Sequence, residues 1–104
     1  MSDYEIAAEQ RREIIRQIGA GNLMAISGGR TVPIKGGVSL PVSAGYHVHV
    51  ELEPNDTYTV TRWFARCGKF HQHGQVANVY ADQVGQMAYR ASCHESYSDE
   101  EWVR

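Results

Sequence analysis

The segment Tyr46-His47-Val48-His49-Val50-Glu51-Leu52 constrains the fold more than any other stretch of the chain. Its apolar residues recur at every second position, the period of a strand with one face on a core and one toward solvent. Pro54-Asn55-Asp56 follows as turn chemistry: proline presets one backbone angle, and the short polar side chains bond the turn's amides. Thr57 to Arg66, rich in threonine and aromatics, reads as the returning strand. Pairing Glu53 with Thr57 sets Leu52 against Tyr58, Val50 against Val60 and Tyr46 against Phe64 on the core face. On the other face it sets His47 against Trp63 and His49 against Thr61.

Cys67-Gly68-Lys69 turns the chain again, and Phe70 to about Ala77 reads as a third strand, weakened by Gly74. A three-residue turn pairs Arg66 with Phe70, Val60 with Val76 and Trp63 with His73. His47, Trp63 and His73 then stand side by side, although a slip of one residue, which the turn sequence permits, separates them.

The flanks carry a helical period. Ser2 and Glu5 form a capping-box pattern, and Ala7, Ala8, Ile14, Ile15 and Ile18 make a stripe interrupted by Arg11. A helix over Ser2 to Ile18, closed by Gly19, is expected. Leu23 to Ile26 and Thr31 to Ile34 read as short strands about a Gly28-Gly29 turn. Val38 to Val42, with Pro41, suits an edge or irregular strand. From Asn78 as cap, Tyr80, Val84, Met87, Ala88 and Ala91 define the face of a last helix, where Gly85 lets a neighbour approach closely. The expected architecture is α+β: a two-layer sandwich with an N-terminal helix, an antiparallel sheet of four to five strands and a C-terminal helix. Residues 1–94 form its single domain, and 95–104 a frayed polar tail.

Composition narrows the function classes. With 104 residues and a net charge of -2, the chain lacks the basic profile of a protein that grips nucleic acid along its length. It contains no apolar run long enough to span a bilayer. The polar, acidic start MSDYEIAAEQ is unlike a signal peptide, so a cytoplasmic location with Cys67 and Cys93 as thiols is expected.

Met24-Ala25-Ile26-Ser27-Gly28-Gly29-Arg30, Asp56-Thr57-Tyr58-Thr59-Val60 and Tyr80-Ala81-Asp82-Gln83 occur in that order. Across residues 14–92 the chain resembles a group of small uncharacterised proteins of bacteriophages, prophages and other mobile elements. The resemblance carries no catalytic residue. It implies an accessory role during infection, inside a bacterial host cell.

The candidate chemistry is sparse. Cys67, His71, His73 and Cys93-His94 are zinc-type ligands, but their spacing matches no paired-ligand pattern, so neither metal nor cofactor is expected. Gly19-x-Gly21 and Ser27-Gly28-Gly29-Arg30 lack the strand-to-helix context of a phosphate loop. The serines and histidines assemble into no catalytic signature, and no enzyme is expected. A binding face remains: Trp63 as aromatic anchor, with His47, His49, Thr61 and His73 around it. The rival reading makes Trp63 core, under a helix. The favoured function is a non-catalytic module that binds and modulates a host protein. The alternative is single-stranded nucleic acid, stacked on Trp63, Tyr58 and Phe64 beside Arg62, Arg66, Lys69 and Arg90. Titration of clustered histidines should alter binding between about pH 7.5 and 5.5.

Overall fold

The computed structural model of the protein describes residues 6–103. Two helices, α1 (Ala8–Ile18) and α2 (Ala20–Ser27), precede five strands: β1 (Val32–Ile34), β2 (Gly37–Pro41), β3 (Tyr46–Leu52), β4 (Tyr58–Arg66) and β5 (Lys69–Val79). Helix α3 (Val84–Ser92) and a turn-rich segment close the chain. The strands form one antiparallel sheet in the order β1-β2-β3-β4-β5. This is the expected α+β sandwich, with a helix pair where one N-terminal helix was expected.

Strand parity sets the core. Val48, Val50 and Val60 are fully buried, as their alternation requires, and Val38 and Leu40 join them from β2. Ile14 and Ile18 of α1, Leu23 and Ile26 of α2, and Val84, Ala88 and Ala91 of α3 cover that face. Each large side chain so buried stabilises by roughly 1.5–3 kcal/mol. Arg11, the break in the α1 stripe, donates from Nε to the Gly37 carbonyl at 3.0 Å and from Nη2 to the Ile34 carbonyl at 2.8 Å. It ties α1 to the β1–β2 turn.

Three local expectations are corrected, and a fourth lies outside the described residues. Leu23 to Ile26 is helix α2, not a strand, and Gly28 is its left-handed C-cap (φ 64°), donating back into the helix's last turn. Strand β2 is internal, flanked by β1 and β3, with Pro41 at its last position. Strand β5 runs through Asn78, so α3 starts at Val84, Asp82 lies in the turn before it and Tyr80 is exposed. The Ser2–Glu5 capping box lies outside the described residues; α1 opens with Gln10 Oε1 accepting the Ala7 N–H at 2.8 Å.

The C-terminal segment is not frayed. Trp102 is fully buried, and its indole N–H donates to the His73 carbonyl at 2.8 Å. Gly74, at φ 106°, makes room for it: a Cβ there would lie 2.6 Å from Trp102 Nε1. Gly85 serves α3 similarly, since a Cβ would lie 2.5 Å from the Ile18 carbonyl oxygen. Among the described residues, no helix is long and apolar enough to cross a membrane.

Candidate functional site

The sheet face opposite the helices carries His47, His49 and Glu51 of β3 against Trp63, Thr61 and Thr59 of β4. The sequence-based register holds throughout that pair of strands. It fails beyond Arg66. The hairpin turn has two residues, Cys67 (φ 52°) and Gly68 (φ 76°), so Arg66 pairs with Lys69. Positive angles at both central positions match the right-handed twist of the strands. A β5 bulge between the Thr61 and Trp63 pairings then absorbs the slip, and Val60 meets Val76 as expected.

Between turn and bulge every partner is displaced by one. Trp63 meets Gln72, and Phe70, opposite Ala65, joins the Trp63 face. His73 leaves it. Its ring lies 5.9 Å from Tyr46 and 5.8 Å from Phe64, both on the helix side. The structure therefore brings Trp63, His47 and His49 together and removes His73 from the predicted cluster. Thr61 lies among them but is fully buried, its hydroxyl accepting from Gln75 Nε2, so it offers a partner no surface.

Trp63 is half-buried, on the sheet face opposite Val48, Val50 and Val60, which pack with the helices. Its ring centroid lies 5.8 Å from His49 and 6.4 Å from Phe70, which in turn lies 5.8 Å from His47. Phe70 is 58% exposed and Val32, at the far edge, 49%. Two hollows flank the indole. One, of about 370 Å³, is walled by Ile34, Phe70 and Trp63 with Lys35, His49 and Glu51. The other, about 730 Å³, is of mixed polarity, with Glu51, Glu53, Asn55, Gln72 and Gln75 beside Trp63, Pro54 and Ala77. The Trp63 Nε1 is buried and meets no acceptor among the described residues.

Burial, and secondarily the neighbouring His47, pushes the His49 imidazole down to about 4. His49 is neutral from pH 7.5 to 5.5, which corrects the expectation that it titrates there. Burial, and then Glu53, raises the Glu51 carboxyl.

Below the sheet, Arg62 is paired with structure rather than open to a ligand. At 1% exposure, it donates from Nε to the Ala91 carbonyl at 2.7 Å and from Nη2 to the Tyr97 carbonyl at 2.9 Å. Its Nη1 lies 3.1 Å from Asp99 Oδ1, and its guanidinium 5.5 Å from the centre of the Trp102 ring. Asp99 Oδ2 bonds His73 Nδ1 at 2.7 Å. Arg62 and His73 thus anchor the C-terminal segment, and Arg62 is withdrawn from the basic set of the nucleic-acid reading.

Among the described residues, no three His, Cys, Asp or Glu side chains converge as a metal site. His94 stacks on Tyr46 with centroids 4.1 Å apart, and Cys67 is exposed at the hairpin tip. Phe70, Gln72 and Gln75 are the site residues that sequence reasoning missed. The Cys-Gly dipeptide, read as a two-residue turn, is the signal that would have found the first two. No protein-family model, curated protein or solved structure matches this chain.

Proposed function

We propose that the protein is a non-catalytic accessory module that binds another protein through the uncovered sheet face. The observation that carries this reading is the contiguity of half-buried Trp63 with exposed Phe70 and the 370 Å³ apolar hollow between them. An aromatic anchor beside a pocket, ringed by polar residues, is the composition of an interface hot spot. Neutral His49 lowers the cost of covering the face, because desolvating an imidazole is cheaper than desolvating an imidazolium. The phage-type resemblance across residues 14–92 supports a host protein as the partner.

Nucleic acid is the weaker reading. Arg62 is buried, and Arg90 Nη2 donates to the Glu101 carbonyl at 2.8 Å. Arg66 and Lys69 remain exposed at the hairpin end, too few for a phosphate track. The test is affinity capture from host lysate with the wild type and with Phe70→Ser, beside an oligonucleotide titration. A partner retained by the wild type and lost with Phe70→Ser, with no oligonucleotide bound at low salt, is the expected result. Oligonucleotide binding that weakens steeply with salt, with no protein captured, would replace this reading with the nucleic-acid one.

A further inference from the structure

We propose that the 730 Å³ groove on the other side of Trp63 binds a neutral sugar, one pyranose unit of a glycan stacked on the indole. This goes beyond the protein-binding reading: it shares only Trp63 and Glu51 with the apolar hollow and does not depend on a protein partner.

Three features of the groove select that ligand chemistry. The first is charge. Glu51 and Glu53 are the ionisable residues of its lining, and no lysine, arginine or histidine contributes to it. A phosphate or carboxylate ligand would meet two carboxylates and no counter-charge, so the groove rejects anions. The second is the mixture of hydrogen-bonding groups. A sugar hydroxyl both donates and accepts, and it is matched by side chains that offer both senses. Gln72 and Gln75 bring carbonyl and NH₂ groups together, Asn55 an NH₂, and the carboxylates accept.

The third is preorganisation. Gln75 Nε2 donates to Thr61 Oγ1 at 2.9 Å, which fixes the amide and leaves its carbonyl oxygen as an acceptor. Asn55 Oδ1 accepts from the Thr57 hydroxyl at 2.7 Å and the Thr57 N–H at 3.3 Å, which leaves its NH₂ as a donor. Both amides are therefore oriented before a ligand arrives, which reduces the ordering cost of binding. Trp63 supplies the apolar part. The indole face is negative, and the axial C–H bonds of a pyranose present a weakly positive apolar surface to it. Packing of this kind uses the flat outer side of a sheet without requiring an enclosed cavity.

The test is a two-dimensional ¹H–¹⁵N spectrum of the full chain titrated separately with maltotriose, cellotriose, mannotriose, chitotriose and N-acetyl-arginine amide. The expected result is that at least one sugar shifts the Trp63 indole N–H and the side-chain amides of Gln72 and Gln75. Its affinity should stay unchanged between about 50 mM and about 500 mM salt, since no ion pair is screened. The Gln72→Ala/Gln75→Ala double variant should weaken it about tenfold, the loss expected of two hydrogen bonds. Phe70 lines the apolar hollow and not this groove, so Phe70→Ser should lose the protein partner and keep sugar binding at full strength, and the two readings fail separately. The proposal is overturned if no sugar moves these resonances, or if sugar binding survives the double variant at full strength. It is also overturned if N-acetyl-arginine amide alone binds there in a salt-sensitive manner, which would make the groove a receptor for basic side chains.

Discussion

His49 and Arg62 show how one β-ribbon assigns opposite fates to polar residues. His49 faces the uncovered side, is desolvated by its neighbours and holds a depressed imidazole near 4. In the unfolded chain the same imidazole takes a proton near 6.5. Between these values the unfolded state binds more protons, so stability falls as pH drops from about 6.5 to about 4, then stops falling. The loss attributable to His49 is at most about 3 kcal/mol, with Glu51, whose carboxyl is raised, acting in the opposite sense. Urea denaturation across that range should show a shallower slope in His49→Gln than in the wild type. Identical slopes would mean that His49 is as hydrated as in the unfolded chain. Arg62 sits on the buried side, and its guanidinium meets carbonyls of Ala91 and Tyr97 and the Asp99 carboxylate. Arg62→Met should cost about 3 kcal/mol, because it strands acceptors arranged around a cation. A cost under about 1 kcal/mol would show that the C-terminal segment packs without it.

At the scale of elements, legibility follows periodicity. Strands β3 and β4 were readable to the residue, because seven alternating positions tie register to burial and a slip would expose Val48 and Val50. Helix α2 was not readable. Leu23 to Ile26 is too short an apolar run for its period to separate helix from strand, and Gly28-Gly29 serves a helix cap as well as a hairpin. The β4–β5 register turned on whether Cys67-Gly68 or Cys67-Gly68-Lys69 forms the turn, and local sequence weighs both. Of the candidate site, the part carried by β3 and β4 was legible and the part carried by β5 was not. Trp102 was missed because a lone aromatic in a polar segment has no period at all; its partner is the space left by Gly74, distant in sequence. Gly85 was read correctly as a point of close approach. Alanine is the better helix former by about 1 kcal/mol. Yet Gly85→Ala should destabilise the protein by about 1–3 kcal/mol, since its methyl must displace the α1 backbone at Ile18. A raised melting temperature would contradict the α1–α3 packing.

For the molecule as a whole, the division of labour lies between the two faces of one sheet. Three helices and the C-terminal segment cover one face, and its core holds one of the two tryptophans, Trp102. The other face keeps Trp63 half-buried, between an apolar hollow and one of mixed polarity. Structural and recognition roles should therefore separate cleanly between the two residues. The direct test is a paired measurement on Trp63→Ala and Trp102→Ala: urea denaturation of each, and capture of the partner by each at a temperature where both are folded. Trp63→Ala removes a side chain that is only partly buried, so it should lose less stability than Trp102→Ala, and it should lose the partner. Trp102→Ala should lose about 3–5 kcal/mol, as truncation of a buried aromatic requires, and keep the partner while folded. Partner capture undiminished in Trp63→Ala, or a stability loss there equal to that of Trp102→Ala, would contradict the assignment of the uncovered face to binding.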